Sequence, residues 1–159
     1  MKTIEGLRDY LLENYVDSDG DLVLNGLDFS DFNGDVYIDD MKVKGNLNQN
    51  RHKVKGELHQ SGHEVRRSLL QYGHEIKGHL YQFGHEVHGD LLQSSHKVKG
   101  SLIQSAHEVQ GNLFQHGHEV EGDLDQGGHE VRGDLLQSVH DVQGDLYQLD
   151  HDVQGHLHQ

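Results

Sequence analysis

Residues 107–128 read His107-Glu108-Val109-Gln110-Gly111-Asn112-Leu113-Phe114-Gln115-His116-Gly117, then His118-Glu119-Val120-Glu121-Gly122-Asp123-Leu124-Asp125-Gln126-Gly127-Gly128. One eleven-residue phrase is written twice, H-x-V-x-G-x-L-x-Q-x-x. Working outward, the phrase occurs ten times without a gap from His52 to Gln159. Leu holds position 7 and Gln position 9 in all ten copies; Gly holds position 5 except at Arg67, and Val position 3 except at Ile76. The invariant residues fall on positions 1, 3, 5, 7 and 9, the two-residue alternation of a β-strand with one buried face. His, Val, Gly, Leu and Gln are therefore expected to point inward, and positions 2, 4, 6 and 8 outward. Gly at position 5 is read as a corner or bend where a side chain would not fit. Positions 10 and 11, as in Ser61-Gly62, are read as chain reversals. A helix is excluded, because it would carry a Gly in every third turn.

One repeat cannot enclose a core, so two per coil are expected, about 22 residues, with three per coil as the alternative. Alternate repeats support this. Position 8 reads Leu70, Leu92, Phe114, Leu136 in one set and His59, Tyr81, Ile103, Asp125, Tyr147 in the other. Position 4 of the second set gives Lys55, Lys77 and Lys99. The fold class that follows is all-β, a parallel β-solenoid (β-helix), whose ten repeats make five coils rising roughly 24 Å at ~4.8 Å per strand. Residues 1–18 are read as an N-terminal capping α-helix over residues 3–16, with Thr3 as N-cap and Ile4, Leu7, Leu11 and Leu12 on one face. Residues 19–51 read as degenerate first coils, with Phe32 and Val43 eleven apart at position 3, and residues 52–159 as the regular solenoid. Asp17, Asp19 and Asp21 suggest a solvated turn, since Leu22 stands where a calcium loop needs Gly.

Composition narrows the function. The chain has no cysteine, 27 acidic residues against 13 Lys and Arg, and a formal charge of −14. Disulfides and thiolate metal sites are excluded. The acid excess disfavours nucleic acid as a direct partner and suits a protein with a basic nucleic-acid-binding surface. No apolar run marks a signal peptide or a membrane span, so a cytoplasmic protein is expected. No catalytic constellation stands out, and neither an enzyme nor a cofactor is expected.

Three sets of candidate residues remain. The acidic binding surface consists of Glu64, Glu86, Glu108, Glu130 and Asp152 at position 2, with Asp90, Asp123, Asp134 and Asp145 at position 6. The dimer or partner contact consists of the apolar stripe Leu70, Leu92, Phe114 and Leu136, together with His156, Leu157 and Gln159 of the last repeat. An uncapped edge there would pair with a second copy and give a homodimer. The position-1 histidines are read as a buried neutral ladder, with a stability that declines between pH 7 and 5. A metal ladder through His107, His129 and His151 is the alternative.

The phrase His129-Glu130-Val131-Arg132-Gly133-Asp134-Leu135-Leu136-Gln137 resembles small repeat proteins carried by bacterial phages and mobile elements. The Asp-Leu step at residues 90–91, 123–124, 134–135 and 145–146 is similar, over residues 32–159, to the architecture of pentapeptide-repeat proteins. That resemblance implies a quadrilateral β-helix, and for some members an acidic dimer that mimics DNA to inhibit topoisomerases. The reading that unites these points is a DNA-mimic-type inhibitor of a nucleic-acid-handling protein, such as a phage anti-defence (anti-CRISPR-like) factor. A structural scaffold and a His-rich metal-binding protein are the alternatives.

Overall fold

A computed structural model describes residues 6–138 and 140–159; Thr3 and Ile4, expected to open the helix, lie outside them. The chain winds as a parallel β-solenoid of about six coils. Each coil has four sides, so four sheets run along the rod. Sheet I begins with Leu22–Asn25 and stacks seven strands; sheets II, III and IV begin with Asp28–Phe29, Val36–Tyr37 and Lys42–Val43 and stack six each. Pairing is parallel and advances by 22 residues, as in Leu91↔Leu113 and Val98↔Val120.

Each repeat supplies two sides. Positions 2 and 3 form one short strand, and position 7 opens the next. In alternate repeats that second strand extends over four residues to make sheet I, as in Leu113–His116. His, Val, Leu and Gln point inward as expected, and in the middle coils Leu91, Leu102 and Leu113 are wholly buried.

Position 5 is the expected corner, but it does not point inward. These glycines stand at a corner, and the direction a Cβ would take faces the preceding coil rather than the interior. A Cβ on Gly100 would lie 2.7 Å from the Gly78 carbonyl oxygen, and one on Gly122 2.8 Å from that of Gly100. Coil-to-coil spacing, not interior volume, demands Gly there. Arg67 shows the consequence: its amide reaches the Gly45 oxygen at 3.3 Å, where the next rung, Gly89 to Arg67, measures 3.0 Å.

The other corner is at position 11, where the chain turns the next side instead of reversing. A left-handed residue stands there in repeat after repeat: Gly62, Gly73, Ser95, Ala106, Gly117 and Asp150 all have positive φ. Ser95 and Ala106 hold it without a glycine's freedom, so the stacked neighbours must stabilise a conformation that costs them about 1 kcal/mol or more.

The helix Leu7–Tyr15 lies over the first coil, burying Leu11 and half-burying Leu7 and Leu12 against the core. It covers an apolar cross-section that would otherwise meet water. Asp17 then closes a turn by accepting the amides of Asp19 and Asp21, both at 2.9 Å. The first coil is longer than the rest. Phe29, not Phe32, pairs with Val54, and Leu22 pairs with Leu47, each 25 residues away. The extra residues sit between Phe29 and Val36, and Phe32 packs partly against the core. No helix among the described residues is long and apolar enough to cross a membrane.

Candidate binding faces

Half of the inward positions are polar, and each must find a partner inside the rod. The glutamines do so by stacking. Gln93 Nε2 donates to Gln71 Oε1 at 3.0 Å and Gln115 to Gln93 at 2.9 Å, with a second ladder from Gln60 through Gln126. The histidines form two further columns, His52-His74-His96-His118-His140 and His63-His85-His107-His129-His151. Rings within them stack face to face with centroids 4.8–5.0 Å apart. The backbone N–H of each histidine from His52 to His129 donates to Nδ1 of the histidine one coil on: His74 to His96 at 3.3 Å, His85 to His107 at 3.2 Å. An accepting Nδ1 places the ring proton on Nε2. Among the described residues, only His129 Nε2 has a partner, Gln115 Oε1 at 3.0 Å.

A second proton on these rings is opposed from three sides. Burial strips its solvation, a stacked neighbour would share the charge, and a protonated Nδ1 would confront an N–H donor. Burial, the largest of these, pushes His52 down to about 4 and His63 to about 3. The mid-column rings, among them His96 and His107, lie well below the ordinary imidazole value for the same reason, with the neighbouring rings adding to it. For His107, His129 and His151, the Nδ1 atoms of His129 and His151 face backbone amides, and the near-parallel rings aim their nitrogens the same way rather than at a common point. No group of three or more His, Cys, Asp or Glu among the described residues is placed to hold a metal ion.

Outside, the columns diverge. Glu64, Glu86, Glu108, Glu130 and Asp152 stand in register along sheet IV, one carboxylate per coil. Lys42 pairs with Glu64 at 3.1 Å and His88 approaches Glu86 at 3.5 Å, whereas Glu108, Glu130 and Asp152 have no ion-pair partner among the described residues. Like charges stacked directly on neighbouring strands are unfavourable, so this column is not explained by stability.

The position-6 aspartates have a different role. Asp90 accepts the Asn112 amide at 2.8 Å, and Asp134 that of His156 at 2.8 Å; Asp123 likewise accepts that of Asp145 at 2.9 Å. Ser68, Ser101 and Asn112 do the same in their coils, at 3.3, 3.1 and 2.9 Å. Position 6 therefore selects a short acceptor that caps the next coil's corner. Two lines of these residues run up the rod, Asp90 and Asp134 in one, Asp123 and Asp145 in the other.

Leu70, Leu92, Phe114 and Leu136 pair in succession on the outer side of sheet I, half-buried against one another. His156, Leu157 and Gln159 lie in the last coil, exposed; Gln159 continues the amide ladder onto Gln137 at 3.2 Å.

The sequence reading took Lys55, Lys77 and Lys99 only as a marker of coil period. On sheet II they border an open groove of about 510 Å³ whose walls also include Lys53, Lys97, Glu119 and Glu121. Its signal was present in position 2 of the same repeats, which reads Lys53, Glu75, Lys97, Glu119, Asp141. No family model, no curated protein and no solved structure matches the chain.

Proposed function

We propose that this protein is a non-catalytic binding rod whose sheet IV presents a rigid column of carboxylates to a basic surface of a nucleic-acid-handling protein. The observation that carries the reading is the register of Glu86, Glu108, Glu130 and Asp152, one acid per coil, most of them without an ion pair. Fixed negative charges at strand spacing, about 4.8 Å, offer a basic groove repeated charge-assisted contacts without the entropy cost of ordering a flexible acidic tail. Such a surface competes with phosphate for the same groove. The net charge of −14 supports it by steering a cationic partner and repelling nucleic acid.

The test is competition. A set of purified basic nucleases and topoisomerases is assayed for DNA binding with the wild-type protein and with Glu86→Lys/Glu108→Lys/Glu130→Lys. The reading expects at least one enzyme displaced from DNA by wild type at low salt, with the triple variant at least tenfold weaker. Equal displacement by both proteins would remove sheet IV as the interface. No displacement from any enzyme would leave the scaffold reading in its place.

A further inference from the structure

The groove on sheet II changes sign along its length. Its first three rows hold Lys53 and Lys55, Glu75 and Lys77, then Lys97 and Lys99, five lysines and one glutamate for a net +4. The next two rows hold Glu119 and Glu121, then Asp141 and Gln143, a net −3. Within the groove, Lys97 meets Glu119 at 3.4 Å and Lys53 meets Glu75 at 3.8 Å. Among the described residues Lys55, Lys77 and Lys99 have no acidic partner, although the chain carries twice as many acids as bases and the three stack on successive coils. Lysine stems cover apolar surface while their ammonium groups reach the rim. The result is a channel with an aliphatic floor between two charged ridges.

The geometry points to a second copy of this chain as the occupant, lying antiparallel against sheet II about a two-fold axis between the Lys97 and Glu119 rows. A face with a positive half and a negative half is its own complement under such an axis. Lys99 of one copy enters between Glu119 and Glu121 of the other, and the same contact repeats in reverse. Lys77 meets the row of Asp141. Register follows from identity: both partners repeat their charges at one coil spacing, which an extended peptide, at roughly 3.3 Å per residue, does not match. Sheet IV lies on the opposite side of the four-sided coil, so this pairing leaves both glutamate columns facing outward. The inference is independent of what those columns bind.

Charge swapping tests it. Sedimentation velocity on the full chain at on the order of 100 μM, a range suited to a small polar interface, is expected to show a species of twice 18.0 kDa at low salt. It should dissociate as salt rises, because the contacts are exposed and screened. Lys77→Glu/Lys99→Glu takes the face from a net +1 to a net −3, and Glu119→Lys/Glu121→Lys takes it to a net +5; each alone should be monomeric. Mixed one to one, they should form a heterodimer. All four positions are on the surface, and a circular dichroism melt within a few degrees of wild type confirms that each variant is folded. A wild-type monomer at low salt overturns the proposal. So does a dimer that survives either variant, which would locate the contact on the Leu92-Phe114 stripe or the last coil instead. Folded variants that fail to combine when mixed also overturn it.

Discussion

The histidine columns and the glutamate column run up the same rod, one residue per coil at the same spacing, under opposite constraints. Each ring of His85, His107 and His129 is held by a backbone amide and a stacked neighbour, and burial disfavours its charged form. Glu86, Glu108 and Glu130, one residue further along the chain, are charged, exposed and hold one another at no advantage. The difference teaches where to look in a repeat protein. Identity from coil to coil in the interior is a packing and hydrogen-bonding requirement. Identity in an outer column that costs stability calls for a partner.

Acid should break the comparison most severely, through the inner column. Above about pH 6.5 the histidines are neutral in both folded and unfolded chains. Below it the unfolded chain binds protons that the folded chain refuses, down to folded values of about 4 for His52 and about 3 for His63 and His129. Stability therefore falls as pH falls, by up to ~1.4 kcal/mol per pH unit for each such residue. Eight of the column histidines are fully buried. Together they remove on the order of 10 kcal/mol by pH 5.5, comparable to the whole stability of a typical domain. Thermal melts should show a transition that drops steeply from pH 7 and vanishes near pH 5. A melting temperature constant over that range would mean that these rings are solvated.

Position in the stack sets the next effect. Leu102→Ala, in a middle coil and wholly buried, should cost about 2–5 kcal/mol in urea unfolding. Leu146→Ala, the same motif position one end away and 47% exposed, should cost under about 1 kcal/mol. Equal costs would contradict the coil order. A smaller loss is expected from Gly100→Ala, where the added Cβ meets the Gly78 carbonyl; about 1–3 kcal/mol is the scale for such overpacking. Arg67 shows that one corner can widen, so the protein should stay folded. The smallest effect is on the outer column. Glu108→Gln/Glu130→Gln should change stability by no more than about 0.5–1 kcal/mol, in the stabilising direction, through loss of like-charge repulsion. The same variant should weaken partner displacement. A clear loss of stability would mean that the column is structural.

Much of this was written in the sequence. The period, the inward His, Val, Leu and Gln, and two repeats per coil followed from alternation and from residues such as Leu70 and Leu92 recurring 22 apart. Three features were not legible, each because its cause lies in the neighbouring coil. Gly100 is selected by the carbonyl of Gly78, which no local pattern reveals. Ser95 and Ala106 stand where a turn is expected, but neither residue type signals the left-handed backbone they adopt. Asp90 and Asp134 look like free surface charge until their side chains are seen accepting the next coil's amides. The longer first coil was hidden because Phe32 fitted the motif as well as Phe29, which in fact holds the strand.

The position-1 histidines are neutral, structural and locked in one tautomer. Nitrogen-15 NMR of the imidazole side chains measures this directly. Ten of the sixteen histidines should show the Nε2–H tautomer with a hydrogen-bonded Nδ1 at pH 7, and none of those signals should titrate before the fold is lost. Imidazole signals of these residues that shift with a midpoint near 6.5 while the solenoid remains intact would contradict it.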